Sequence, residues 1–203
     1  MTVHVVLFSL LVLAQSAGAL PWRNAKELAE FVRSEYRDPR TANEAERVLR
    51  DAMAAHPADP SFAAVFGSWL FYQDRPGDAY PLLVRACRSL KSESLCTAAA
   101  ATDLAAGRWH EATDLAAVFP ETACTRSNRL WVLKHLERDQ KGAIEHAKGL
   151  LREEPLHEVS YLLLAAALHL NDDDKAATEQ LRRGREKASR VIVLKHVTWE
   201  VAK

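Results

Sequence analysis

Asp139-Gln-Lys-Gly-Ala-Ile-Glu-His-Ala-Lys-Gly-Leu-Leu-Arg-Glu-Glu-Pro155 is the stretch from which the fold can be read. Ala143, Ile144, Ala147, Leu150 and Leu151 recur at helical spacing, and Pro155 follows as a stop. Related stretches are anchored by Ala45, Ala79, Ala112 and Ala177. Along the series 45, 79, 112, 143, 177 the intervals are 34, 33, 31 and 34 residues. A recurrence near 34 residues marks helix pairs stacked in an array, because one pair alone cannot bury its apolar face. The expectation is an all-α protein, an α-solenoid of about five helix–turn–helix repeats.

Composition agrees with this reading. The chain has 203 residues, 48% hydrophobic and 27% charged, with only seven glycines and eight prolines. A core of useful size is within its reach. Lys+Arg and Asp+Glu both count 27, so the formal net charge is zero. A balanced chain gives no electrostatic reason to bind nucleic acid, and there is no polybasic run for an anionic membrane.

Residues 1–19 differ from all that follows. Val5-Val-Leu-Phe-Ser-Leu-Leu-Val-Leu-Ala14 is an apolar core, and Ala17-Gly18-Ala19 fits a small-x-small cleavage site. The expectation is a secretory signal peptide cut before Leu20, placing the rest in the periplasm or outside the cell. An uncleaved anchor is the rival reading, although the run falls short of the ~20 residues that span a bilayer. No cysteine follows the apolar core, which excludes a bacterial lipoprotein anchor.

Beyond Leu20 the apolar periodicity predicts helices over 24–37, 41–55, 61–73, 78–90, 93–106, 109–119, 122–138, 140–154, 157–170 and 173–187. Thr41-Ala-Asn-Glu44 reads as a capping box. Asp74-Arg-Pro-Gly77 and Gly107 read as turns. Val191-Ile-Val-Leu194, Val197, Trp199 and Val201 predict a last helix, 190–203, outside the period and covering the end of the stack.

Gly107-Arg-Trp-His-Glu-Ala112 joins a turn glycine, an aromatic two residues on, and a small residue in the second helix. Phe66-Gly67, Leu70, Ala79, Leu83 and Ala86 alternate large and small, as do Tyr161, Leu164-Ala165, Leu168, Ala177, Leu181 and Gly184. On these residues the chain resembles the tetratricopeptide repeat (TPR) family, with repeats near 26–59, 60–92, 93–123, 124–157 and 158–189. Trp131 and Lys134 stand where that pattern wants small apolar residues, and the preceding interval is the short one. Irregular packing between the third and fourth repeats is the expectation.

The resemblance implies that the first helix of each pair lines a concave groove for a partner peptide. Its positions here are Glu30 and Ser34; Ser61, Ala64, Ser68, Phe71 and Tyr72; Thr97, Ala101 and Leu104; Asn128, Val132 and His135; Leu162, Ala166 and His169. Their small, mildly apolar centre suits an apolar or amphipathic segment. Glu30 and Ser34 stand where the carboxylate-clamp subfamily has Lys and Asn, so that ligand class is not implied. The other reading has part of this groove filled by the chain's own C-terminal helix. The reading is a non-catalytic exported adaptor or assembly factor without a cofactor, binding a segment of an envelope protein. The alternative is a constitutive structural subunit of a larger envelope or secretion complex.

Other motifs carry less. Of Cys87, Cys96 and Cys124, the first two flank a turn near Ser89–Ser92 and form the favoured disulfide. The other reading makes all three small buried apolar residues. Eight histidines include no HExxH and no i, i+4 pair; His135 and His169 occupy equivalent positions, which raises a two-histidine metal site against solvated or groove-lining side chains. Asp172-Asp-Asp174 sits before a helix start and reads as a cap.

Overall fold

A computed structural model of the protein describes residues 22–36 and 38–199. The expected signal peptide, residues 1–19, and Val201 lie outside the described residues. Among them are eleven α-helices and no strand, so the chain is all-α. We number them α1 Ala25–Glu35, α2 Ala42–Ala55, α3 Pro60–Tyr72, α4 Pro76–Leu90, α5 Glu93–Ala105, α6 Trp109–Ala116, α7 Glu121–Cys124, α8 Asn128–His135, α9 Gln140–Glu153, α10 Glu158–Leu170 and α11 Asp174–Lys187. Two 3-10 turns, Pro39–Thr41 and Val193–His196, complete the list. No described helix is long and apolar enough to cross a membrane.

The chain divides into two compact units, residues 1–65 and 66–203, with the boundary inside α3. In the first, Leu28 and Val32 of α1 and Ala45, Val48, Leu49 and Ala52 of α2 are buried at helical spacing. His56 stacks on Phe62, ring centroids 4.3 Å apart. The expected capping box does not form. A 3-10 turn precedes α2, and the Thr41 hydroxyl donates back to the Asp38 carbonyl (2.7 Å) rather than capping.

In the second unit consecutive helices pack pairwise: α4 on α5, α5 on α6, α8 on α9, α9 on α10 and α10 on α11. The α9 stretch behaves as its periodicity demands. Asp139 caps it by accepting from the Gly142 N–H (2.9 Å), and Ala143, Ile144, Ala147 and Leu150 are buried. Asp173 caps α11 in the same way, accepting from the Ala176 N–H (3.1 Å). Packing also runs between helices distant in sequence, since α5 and α8 both touch α10 and α5 touches α8.

Three expectations are corrected. The helix expected over 122–138 is broken into the one-turn α7 and the separate α8, because Ser127 starts a new helix by accepting from the Leu130 N–H (3.3 Å). The helix expected over 109–119 ends at Ala116. The last helix, 190–203, is absent over its described part: residues 190–199 hold only the Val193–His196 turn, with no helical residues around it.

The break coincides with the two residues that departed from the repeat pattern. Trp131 lies between the rings of His135 and His146, with centroids 4.2 and 4.0 Å away. Room for the indole comes from Gly142 on α9, where a Cβ would fall 2.5 Å from the Trp131 ring. Lys134 turns out to the Phe119 carbonyl (3.2 Å) and the Glu121 carboxylate (2.9 Å). Gly184 plays the same part as Gly142 at another crossing: a Cβ there would sit 2.7 Å from both Tyr161 and Leu194.

Cys87 near the end of α4 and Cys96 in the first turns of α5 form a disulfide, their Cα atoms 4.8 Å apart. Cys124 is buried and unpaired, and burial pushes its thiol pKa up.

Three sets of outcomes follow from these contacts. Gly142→Ala should cost roughly 1–3 kcal/mol in thermal or urea unfolding, because the added methyl overpacks against Trp131. Trp131→Leu should recover part of that loss in the double variant. Gly77 meets nothing within 4 Å, so Gly77→Ala in α4 should be neutral or stabilising by up to about 1 kcal/mol. Replacing Cys87 and Cys96 by Ser should cost roughly 2–3 kcal/mol, the loop being short. Thiol counting on the oxidised protein should find one free thiol, reactive only after unfolding.

Candidate binding groove

The residues expected to line the groove divide by accessibility. Phe71, Thr97, Ala101, Leu104, Val132, Leu162 and Ala166 are buried. Ser61, Ala64, Ser68, Asn128, His135 and His169 are half-buried. Tyr72 is 55% exposed, and Glu30 and Ser34 are exposed on α1. In the second unit, then, the middle of the expected groove is closed. Part of the closure is the packing of α5, α8 and α10 on one another. The rest is the segment 189–199, laid along the unit as an irregular strap.

The strap is held mainly through its backbone. The Ser189 N–H donates to the Leu156 carbonyl (2.9 Å). Glu158, at the start of α10 and 6% exposed by residue, accepts on one carboxylate oxygen from the N–H groups of Ile192, Val193 and Leu194 (2.8, 2.9 and 3.2 Å). Those N–H groups open a 3-10 turn and have no acceptor within it, so the carboxylate serves as a cap lent by another element. The Thr198 N–H then donates to the Ala105 carbonyl (2.9 Å), and the Trp199 indole N–H to the Leu104 carbonyl (2.5 Å). Side chains add to this. Ile192, Val193 and Leu194 are buried, Lys195 pairs with Asp74 (2.7 Å), and Arg190 donates to the Tyr72 carbonyl. Lys195 beside it holds the Asp74 carboxyl below its ordinary pKa.

Trp199 ends in an aromatic cleft. Its ring lies 5.0 Å from Trp109 and 4.9 Å from His169 by centroid. The floor is Gly107, in the left-handed region at φ 71°, where a Cβ would touch the indole at 3.6–3.7 Å. His169 donates through Nδ1 to Asp174 (2.6 Å), which fixes its ring against the two tryptophans. Glu158 and His169 stand at opposite ends of α10, roughly 16 Å apart along its axis. The strap therefore follows α10 from end to end.

Beside the strap's first residues a cavity of about 400 Å³ stays open. Ser68, Tyr72, Leu95, Thr97, Arg129 and Leu156 are among its walls. Leu156, 60% exposed, and Tyr72 give it an apolar rim. Two polar atoms of its wall residues are buried without a partner: the hydroxyl of Thr97, itself 5% exposed, and Nε of Arg129, whose terminal nitrogen holds Glu154.

His135 and Asp103 have structural partners. No group of three or more His, Cys, Asp or Glu among the described residues is placed to hold a metal ion. His135 stacks on Trp131 and its Nδ1 bonds the Trp131 carbonyl (3.0 Å). Asp103, fully buried, accepts from Arg108 at 2.7 and 2.8 Å, yet burial outweighs that partner and raises the carboxyl pKa.

The sequence reading missed Glu158, Gly107 as the floor for Trp199, and the Arg129–Thr97 cavity. One signal was available: Val159 to Leu168 is apolar on nearly every face, and such a helix must be covered all round. The chain matches no known family model and no curated protein.

Glu158→Ala should leave three buried N–H groups without an acceptor and cost about 3 kcal/mol of stability. Amide exchange resolves the effect: Ile192, Val193 and Leu194 should lose protection first, with α9 and α11 retaining theirs.

Proposed function

We propose that this protein is a non-catalytic interaction module, a TPR-like solenoid that acts as an exported adaptor or assembly factor and binds a segment of another protein. The single observation behind this reading is the open cavity of about 400 Å³ on the face expected to be the groove, rimmed by Tyr72 and Leu156. A segment presenting an apolar side chain suits that rim. A pocket of this size, largely apolar with few converging polar groups, is typical of binding sites in general. Export is supported by the Cys87–Cys96 disulfide, since such bonds persist in oxidising compartments.

A constitutive subunit of an envelope assembly is the second reading, favoured by the exposure of Tyr72, Leu90 and Leu156. A subunit should self-associate when purified alone, whereas an adaptor should sediment as a monomer.

The working face is tested by filling the cavity. Ser68→Trp with Ala98→Trp places two indoles on half-buried wall positions. Stability should change little, and proteins captured by the wild-type chain from its native envelope should bind at least about tenfold more weakly. Normal melting with undiminished capture would move the working face elsewhere.

A further inference from the structure

The strap occupies its site in the manner of a bound peptide. It contributes no α-helix to the stack, and among the described residues no helix follows it. It is held by acceptors that belong to the helices: the carbonyls of Leu104, Ala105 and Leu156 and the Glu158 carboxylate. Four of the strap's contacts with these are main-chain N–H donors in the segments 189 and 192–194, and a fifth is Thr198. Main-chain donors are common to every sequence, so they confer affinity without selecting a partner. Selection falls to the pockets along the path. These are an apolar seat for Ile192-Val193-Leu194 and, five residues beyond Leu194, the cleft of Trp109, His169 and Gly107 that takes an indole.

We infer that residues 189–199 are an internal pseudo-ligand, and that the surface beneath them docks partner segments of the same chemistry: three consecutive aliphatic residues followed, five positions on, by an aromatic residue. This rests on reading the groove face as a protein-binding surface. It adds that most of that surface is self-occupied and becomes available by exchange. Exchange is physically reasonable because the segment's polar ties at Asp74 are solvent-exposed on both sides, about half-exposed at Lys195 and His196. Such ties contribute little and open easily. A partner entering the open cavity beside Ser189 and Arg190 would meet the strap at its first residues and could replace it progressively toward Trp199.

The test uses the full chain and one probe, a fluorescent synthetic peptide of sequence Ser189-Arg-Val-Ile-Val-Leu-Lys-His-Val-Thr-Trp199. Trp199→Ala in the full chain weakens the resident strap while leaving the acceptors and the cleft intact. This variant should bind the peptide at least about tenfold more tightly than wild type. Adding Glu158→Ala to it should remove that gain. Equal binding by all three chains, or none by Trp199→Ala, overturns the inference. A second measurement needs no variant. With isotopically labelled wild-type protein and saturating unlabelled peptide, the protein's own amides at 192–194 should exchange faster with solvent while those of α9 and α11 are unchanged. Undiminished protection at saturation also overturns it. Either failure leaves the cavity reading standing, because the Ser68 and Ala98 variants probe the open part of the surface and not the strap.

Discussion

From Glu158 to Leu168 every residue of α10 is buried, and the requirement to cover that helix on all sides shapes the second unit. A helix in a two-layer stack presents one face to its own pair and one to its neighbours, leaving a third in water. Here α9 and α11 cover α10 from its sequence neighbours, while α5 and α8 reach it from earlier in the chain. What they leave bare the strap takes, by laying Ile192, Val193 and Leu194 against it. Burying the strap would strand its own N–H groups, and the Glu158 carboxylate answers that need at the start of the same helix. The apolar helix and its single buried carboxylate are thus one device.

Close approach is obtained by removing side chains at particular points. At Gly67 a Cβ would come within 3.0–3.2 Å of Leu82 and Leu83, and at Gly184 within 2.7 Å of Tyr161 and Leu194. Gly142 works differently, since it faces a tryptophan. Trp131 takes the space that the missing side chain leaves and gains two histidine rings as neighbours. The short interval between anchors and the oversized residue are therefore linked. The chain breaks after α7, restarts at Ser127, and the shifted α8 brings Trp131 over Gly142.

Polar ties in this protein separate into a few buried ones and many exposed ones. Glu158 and Asp103 are enclosed, and each is held through one carboxylate oxygen. Pairs such as Arg182 with Glu179 and Glu186 lie on the solvent face of α11 and contribute little to stability. The strap joins the two kinds: a buried anchor at Glu158, exposed ties at Asp74, then a half-buried aromatic lock at Trp199. The cavity opens at the end of the strap held by Ser189, Arg190 and the Ile192–Glu158 bond. Affinity for a partner and retention of the strap are thereby set by overlapping contacts.

Local order determined a great deal of this. Periodic apolar residues, the Asp172–Asp174 run as a cap and Gly107 as a turn are short-range matters, so most of the helices stand close to where the residues alone put them, the exceptions being the early end of α6 and the break into α7 and α8. The Cys87–Cys96 pair was legible for the same reason, because both cysteines flank one turn. Apolar content alone did not settle residues 190–199. Val191-Ile-Val-Leu194 reads equally well as a helix face, and only the waiting carbonyls of Leu104, Ala105 and Leu156 and the Glu158 carboxylate make an irregular course the better use of its N–H groups. Likewise Ala101, Val132, Leu162 and Ala166 could be placed on helices from the residues alone, but whether such a face is open depends on α5, α8 and α10 meeting one another. Those contacts join residues tens of positions apart, and a periodicity that repeats every 34 carries no record of them.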